Sequence, residues 1–500
     1  MTRHKFTAAL CGLALIGASA CDNGKLTEVN KNPNAPEQVS AALLFPTATI
    51  SSVRMVRANM EITPSAFVHW PQYFAEYQYP EISYYQFRPS TADGWWNAWY
   101  TGPLEDYAQA LRQATEANRP NQIGPILVMR AFDFSIMTGI WGDIPFTESN
   151  AGDQANITPV YDKQQIIYDS LLTNLKDAAA MLGGEGLGFG DQDPVYGGDP
   201  AQWKKLANSL RARLGLDLSN VDASRAKTEV AAAIAAGGFE SNDDNAQIEW
   251  PGDNINDNPW YDTEKEGNGT RDDARLSVTF VDTLKHLNDP RLAIFARPVQ
   301  DPTCGPAALC TAVAAGDYRG MPNGLLAGDA GNWGPRSSRP GLQMFAAKQP
   351  SYIMTFAEFS LIKAEAVERG WIGGSAAQFY KDGITAAMKQ WGVSDGAIAT
   401  YLAQPAVVYK GGAAGLAQIG VQKWIALFTQ GYEAWSEWRR TGYPNLTPAL
   451  NAKSPDGKIP RRVIYPQTEQ SFNNANLQAA ITTQGGSDAL NMRLWLDPSK

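Results

Sequence analysis

The residues most able to carry covalent chemistry here are cysteines. Cys21 closes a stretch that starts with Arg3 and Lys5, continues through an apolar run from Phe6 to Ile16, and ends in Gly17-Ala18-Ser19-Ala20. That is the layout of a secretory signal, and the run is too short to cross a bilayer as a helix, which takes ~20 residues. A cysteine directly after small residues reads as a lipoprotein box: cleavage before Cys21, then a diacylglycerol thioether on its sulfur. Ala18 stands where such signals usually carry Leu, and the alternative is an ordinary cleavage site that happens to precede a cysteine. Several acyl chains on one residue anchor a protein firmly where a single chain would be marginal. Cys11 leaves with the signal, so Cys304 and Cys310 in "CGPAALC" remain. An oxidising compartment predicts a disulfide between them that clips a small surface loop. A Cys-only metal site would need further ligands nearby, and the sequence offers none.

Other reactive arrangements are thinly supported. Only His4, His69 and His286 occur, and His4 leaves with the signal. That scarcity argues against a His-ligated metal centre and a Ser–His–Asp arrangement. There is no Gly-x-Ser-x-Gly, phosphate loop or His-Glu-x-x-His. With 51 Asp and Glu, a carboxylate pair of the glycoside-hydrolase kind stays open as an alternative, and product release from a glycan panel would reveal it. Asp191, Asp193 and Asp199 share the loop "GDQDPVYGGD" but lack EF-hand spacing, so a solvated turn with a helix cap at Asp199 accounts for them. No cofactor is called for. The formal net charge of −9 becomes −11 once Arg3 and Lys5 are removed. An acidic body without a basic run is poorly suited to nucleic acid, where binding rests on phosphate neutralisation.

Binding chemistry is better represented. The chain has 15 Trp, 19 Tyr and 18 Phe, many of them in stretches rich in Gly, Pro, Asn and Asp. A sugar ring has an apolar C–H face that lies on a flat aromatic ring, while amides, carboxylates and guanidinium groups bind its hydroxyls. Three stretches carry that mixture. "WPGDNINDNPWYDTEKEGNGTR" holds Trp250, Trp260 and Tyr261 among Asn254, Asn256, Asn258 and Asp257. "GNWGPR" holds Trp333 with Asn332 and Arg336, and "YQYPEISYYQFRPSTADGWW" holds Tyr84, Tyr85 and Trp95. For any one of these aromatics, packing a satellite core beneath a long loop is the simpler use. As ligand platforms, they predict that Trp260→Ala or Trp333→Ala weakens glycan retention without unfolding the protein.

The elements that must position these loops are helical. Apolar residues recur at three- and four-residue steps in "LLFPTATISSVRMVRANM" and in "GWWNAWYTGPLEDYAQALRQATEA", whose predicted face is Trp96, Tyr100, Leu104, Tyr107 and Leu111. "IGPILVMRAFDFSIMTGIWG" is apolar nearly all round and predicts a buried helix. "YDKQQIIYDSLLTNLKDAAAML" predicts Asp162 at the N-cap with Gln165 completing a capping box, and a face of Ile166, Ile167, Leu171, Leu175, Ala178 and Leu182. Asp199 and Pro200 open the helix of "GDPAQWKKLANSLRARLGLDLSNV", and "SRAKTEVAAAIAAGG" is its partner. "TFAEFSLIKAEAVERGWIGGSAAQFYKDGITAAMKQWG" reads as helix, Gly-rich turn and helix, about one ~34-residue tetratricopeptide repeat. "IGVQKWIALFTQGYEAWSEWRRTGYP" reads as one long helix stopped by Gly442 and Pro444. The fold class is therefore mostly α, with tetratricopeptide-like helix pairs supporting a loop-rich, irregular ligand-binding half. Residues 1–20 form the signal, 21–40 a lipidated tether, and 41–500 one domain. The long loops at 183–198, 239–275 and 298–350, with the aromatic segment 70–99, are the expected binding surface.

Several phrases stand in one order: "LTEVNKNPNAPEQV", "WGDIPFTES", "YGGDPAQWKKLANSLRARL", "LNDPRLAIFARP", "YRGMPNGL", "MTFAEFSLIKAEAVERG", "EAWSEWRRTGYP" and "IPRRVIYPQTEQSFNNAN". In this ordered set the chain resembles the SusD/RagB family of nutrient-binding outer-membrane lipoproteins, in its SusD-like branch, over nearly the whole mature length. The resemblance implies four tetratricopeptide-like helix pairs, no catalysis, and a surface lipoprotein seated on a SusC-like TonB-dependent transporter. Its ligand would be an oligosaccharide or, in some members, a peptide. Most matching residues are expected to be structural: Trp203, Asn208, Arg211, Arg213, Glu358, Glu365 and Arg369 as polar staples, and "EAWSEWRRTGYP" as a docked helix end. Ligand residues vary across the family, so none is carried over. A peptide- or protein-binding helical scaffold remains the rival reading.

Overall fold

In this computed structural model the chain divides into Met1–Ser40 and Ala41–Lys500. The structure describes residues 39–61, 65–151, 156–184, 186, 188–265 and 267–498, so the signal, Cys21 and most of the tether lie outside the described residues. Helices of eight or more residues are α1 Ala41–Arg54, α2 Pro89–Thr101, α3 Pro103–Glu116, α4 Pro120–Trp141, α5 Gln164–Met181, α6 Pro200–Asp217 and α7 Ala223–Ala235. They continue with α8 Val278–His286, α9 Phe356–Glu368, α10 Ala376–Gln390, α11 Asp395–Leu402, α12 Gly412–Ala426, α13 Gly431–Thr441 and α14 Asn474–Thr483. Among the described residues four strands of three or four residues, β1 Phe74–Glu76, β2 Ala246–Ile248, β3 Ala274–Leu276 and β4 Ser351–Met354, form two antiparallel ribbons, β1 with β3 and β2 with β4. The fold is mostly helical, and α4 packs on α5, α6 on α7, α9 on α10 and α12 on α13.

Local chemistry sets the helix ends. Asp199 accepts hydrogen bonds from the Ala201 and Gln202 amides at 2.8 and 3.4 Å, with Pro200 at the first helical position, and Thr355 accepts from Glu358 at 3.2 Å. Each satisfies amides that the first turn leaves unpaired. The Asp162 carboxylate does otherwise. It accepts from the Phe146 and Thr147 amides at 3.1 and 2.7 Å, tying down the loop before it, and α5 starts beyond it without a side-chain cap. Ile166 is 46% exposed, so the buried face of α5 is Ile167, Leu171, Leu175 and Ala178, with Leu182 just past its end.

Two segments read as single helices are broken. Gly102 and Pro103 separate α2 from α3, since Pro103 opens the second helix and supplies no amide to continue the first. Between α12 and α13, Thr429 takes a left-handed φ of 75°, and Gly431 sits so close to the Phe67 carbonyl that a Cβ would lie 1.8 Å from its oxygen. Only glycine can start α13 there. Gly442, at φ 81°, closes α13 in the left-handed C-terminal position.

α4 is long and apolar enough to cross a membrane by composition, yet 83% of that window is buried in the fold. Its one buried acid, Asp133, accepts from Ser52 Oγ at 2.5 Å and Trp99 Nε1 at 3.3 Å.

Three buried arginines between the helices fork onto glutamates. Arg57 forks onto Glu433 at 2.7 and 2.8 Å and also reaches Glu61 at 2.8 Å. Arg213 forks onto Glu358 at 2.7 and 2.5 Å, and Arg440 onto Glu365 at 2.7 and 2.6 Å while also touching Glu437. Bidentate guanidinium–carboxylate geometry is what makes burial of such charges tolerable.

Candidate functional site

The β1–β3 ribbon pairs Phe74 with Leu276 and Glu76 with Ala274. Beyond its end the two chains separate, and a cleft of about 570 Å³ opens between Gln78–Thr91 on one side and Thr270–Asp273 on the other. Tyr79 stands at its edge, 61% exposed, with a left-handed φ of 52°. Such a backbone is costly for a bulky residue, and strain of that kind collects where a side chain has to be presented. Gln78, Gln86, Phe87 and Arg88 line the same cleft. The loop is held from behind: Tyr85 Oη accepts from the Ala449 amide at 2.9 Å, and the Lys453 amide donates to the Tyr84 carbonyl at 2.7 Å. Tyr77 is fixed by the Arg275 guanidinium, 4.2 Å from its ring centroid.

The charges of the cleft are only partly matched. Arg271 pairs with Asp273 at 2.9 Å, while Arg271 Nε and one Glu81 oxygen are buried without hydrogen-bond partners. Beneath them Glu76 is 1% exposed, and neither of its carboxylate oxygens has a hydrogen-bond partner. Burial pushes its pKa well above the usual carboxylate value; Asp273, Glu81 and Glu264 push the same way, and Arg271 opposes them. Glu76 is therefore held as a neutral acid. His69 Nε2 lies 4.0 Å from it, but burial lowers the imidazole pKa to about 4 despite a 2.6 Å contact between Nδ1 and the Ser65 carbonyl. Neutral His69 donates from Nδ1 to that carbonyl and cannot serve as a counter-ion.

The aromatics singled out from sequence lie elsewhere. Trp250 is buried, donates to Ser351 Oγ at 3.0 Å and is covered by Arg54. Trp260 belongs to the main core against Phe74, and Trp333 fills a satellite core while donating to the Ala308 carbonyl at 3.1 Å. Trp95 stacks on Phe67, and Tyr84 and Tyr85 are buried in the turn that backs the cleft. None offers an open face, which corrects the platform expectation for these six: their loops need cores of their own, and the large rings supply them. Tyr261 is half-buried in a turn where its carbonyl accepts from the Asn268 amide at 2.7 Å. Arg336 is engaged with Asp301 at 2.9 Å. The expected segments 70–99 and 239–275 both line the cleft, through residues the sequence did not single out; 298–350 does not line it. The one available signal was "YQYP", where an aromatic with an amide neighbour precedes proline outside any helical period.

Cys304 and Cys310 are disulfide-bonded, with Cα atoms 5.5 Å apart. The Arg319 guanidinium pins this loop by donating to the Asp301, Thr311 and Arg336 carbonyls at 2.8, 2.7 and 2.6 Å. Asp193, in the loop weighed for calcium, spends its carboxylate on the Val195 and Gly198 amides and on Trp203 Nε1.

The SusD-like_2 family model, described as starch-binding and associating with the outer membrane, matches residues 33–466. The chain belongs to the SusD-like family. That family is one of non-catalytic, nutrient-binding proteins associated with the outer membrane. Among solved structures, a chitin-binding protein is 27% identical, covers 91% of this chain and all of its own, and superposes with a TM-score of 0.78. A chitin-binding SusD homologue from Flavobacterium johnsoniae is 24% identical over 91% of this chain and 99% of its own, with a TM-score of 0.78. A SusD homologue from Bacteroides fragilis is 24% identical over 92% of this chain and all of its own, with a TM-score of 0.76. No curated protein sequence matches the chain.

In this SusD-like protein the residues read as staples do serve that purpose. Asn208 donates to the Ala236 and Gly237 carbonyls at 3.2 and 2.7 Å, closing α7 onto α6, and Arg211 pairs with Glu229 at 2.6 Å. Arg369 pairs with Glu365 at 2.8 Å, and Trp435 of the "EAWSEWRRTGYP" segment donates to the Pro460 carbonyl at 2.9 Å.

Proposed function

We propose that this SusD-like protein is a surface lipoprotein, anchored through Cys21, that captures an oligosaccharide in the Tyr79 cleft and delivers it to a SusC-like TonB-dependent transporter. The cleft carries the reading: it combines an exposed aromatic ring with amides, guanidinium groups and carboxylates in a concave space of about 570 Å³. That volume lies within the ~300–1,000 Å³ range of small-molecule sites. The ring supplies an apolar contact for a sugar face, and Gln78, Gln86 and Arg88 supply hydrogen bonds for hydroxyls. The similarity to a chitin-binding protein makes chito-oligosaccharides the first ligands to test.

Calorimetric titration of the purified full-length chain with chitotetraose and with maltoheptaose tests the reading. Saturable binding of one of them supports it, and binding of neither, with a peptide library enriched instead, replaces it with the peptide reading. Retention of a TonB-dependent barrel on the tagged native protein tests the delivery step.

A further inference from the structure

A second cleft, of about 250 Å³, lies in the C-terminal part of the chain and shares no lining residue with the first. Its wall includes Trp438, Lys458, Arg461 and Arg493, with Asp456 as the one carboxylate among its lining residues. A cluster of three cations is unusual on a chain of net charge −9. Two of them share a single counter-ion. Arg461 forks onto Asp497 from Nε and Nη2, and Arg493 reaches the same carboxylate at 3.0 Å from Nη1. One carboxylate cannot neutralise two guanidinium groups, and Lys458 adds a third positive charge with no acid in salt-bridge range among the described residues. Asp456 offsets part of this, but its Oδ1 is already used in accepting the Lys458 backbone amide at 3.1 Å.

The arrangement is also preorganised. The Arg461 guanidinium lies 4.9 Å from the centroid of the Trp438 ring, and its Nη2 also donates to the Arg439 carbonyl at 3.1 Å. Asp497, itself 4% exposed, holds the fork from below. Arg461 Nη1 donates no hydrogen bond among the described residues, so two N–H groups of a rigid guanidinium remain available. A planar donor set with surplus positive charge is suited to a carboxylate.

We propose that this cleft is a second ligand subsite that takes the carboxylate of an acidic saccharide, a uronate residue, with Arg461 as its fixed donor and Lys458 and Arg493 as its flanking cations. A volume of about 250 Å³ suits a single sugar unit rather than a longer segment. Nothing in this assignment depends on what fills the Tyr79 cleft, so either can fail while the other stands.

Trigalacturonate and its fully methyl-esterified form, which has the same backbone without the charge, are titrated into the full-length protein by calorimetry. The acid is expected to bind saturably and more weakly as salt is raised, while the ester does not bind. Lys458→Ala and Arg493→Ala are each expected to weaken the acid by about tenfold, the scale of one charged hydrogen bond. Lys458 is exposed and the Arg493 side chain 42% exposed, so their thermal midpoints should match the parent. Equal binding of acid and ester, no saturable binding of the acid, or binding untouched in both variants would overturn the proposal. So would a tripeptide that displaces the acid at equal concentration, because the cleft would then recognise a peptide carboxylate.

Discussion

Glu365 and Glu76 are buried to a similar depth, 3% and 1% exposed, and the protein treats them in opposite ways. Burial opposes ionisation in both. At Glu365, among the helix pairs, the Arg440 fork overrides it and holds the carboxyl well below the usual range. At Glu76, under the cleft, Arg271 is already committed to Asp273, the carboxylates of Asp273, Glu81 and Glu264 crowd in, and the acid stays neutral. Among the helix pairs Arg57, Arg213 and Arg440 each hold a carboxylate, and Asp133, which has no cation beside it among the described residues, is the acid that burial raises to about 7. The cleft half leaves polar groups unsatisfied and a tyrosine strained. Unmet hydrogen bonds and stored strain beside an open cleft are what a site retains for a ligand.

The comparison breaks most sharply at Arg440. Arg440→Leu removes the guanidinium shared by buried Glu365 and Glu437, leaving them only Arg369 and Lys423, and losing one partner of such a buried network costs about 3–5 kcal/mol. Urea denaturation should show that loss as a lower midpoint with an unchanged slope. A variant within 1 kcal/mol of the parent would mean the network is wetter than its geometry indicates. Trp260→Ala belongs on the same scale, about 3–5 kcal/mol, because it empties a core position beside Phe74 and Phe345. The sequence reading gave that substitution the opposite outcome, weaker binding with the fold intact. Glycan affinity lost at full stability would restore Trp260 as a platform.

That reversal shows what could be read beforehand. The Asp199–Pro200 start and the Gly442 stop depend on neighbours in sequence and are present; the stripes are too, save that Ile166 is exposed on α5, and Asp162 ties down a loop where the sequence predicts a cap. The polar staples were legible because arginine and glutamate inside apolar helices have to find each other. The breaks at Gly102 and Gly431 were not, since Gly431 is fixed by the Phe67 carbonyl, which is remote in the chain. The aromatics misled for a related reason. A tryptophan in a Gly- and Asn-rich loop looks the same in sequence whether it faces a sugar or fills the core under its own loop. The cleft is set by where the β1–β3 ribbon ends, and no local pattern records that pairing.

Glu76→Gln probes the other side of the comparison. A carboxyl with a raised folded pKa contributes stability that is fully present below its unfolded value of 4.5 and lost as pH rises through the folded value. The parent should therefore lose stability as pH rises above 7 more steeply than Glu76→Gln, by up to about 1.4 kcal/mol per pH unit. In that range His69 is neutral in both states. Asp133 and Glu61, which burial raises to about 7 and about 8, titrate in both proteins and cancel in the difference. Parallel stability curves would show that Glu76 is ionised, and that a cation not seen among its neighbours compensates it.

The smallest expected effect is also the most selective. Tyr79 is mostly solvent-exposed, so removing its ring exposes no core, and its φ of 52° is a region where glycine sits without strain. Tyr79→Gly should therefore leave stability unchanged or raise it by up to about 1 kcal/mol, the cost of a left-handed non-glycine residue less glycine's own entropy penalty. Oligosaccharide affinity should fall by about tenfold, or ~1.4 kcal/mol, if the ring is the sugar contact. Binding and stability then move in opposite directions at a single residue, which no scaffold position can do. A loss of stability comparable to that of Trp260→Ala would instead assign Tyr79 to packing and leave the cleft without its aromatic surface.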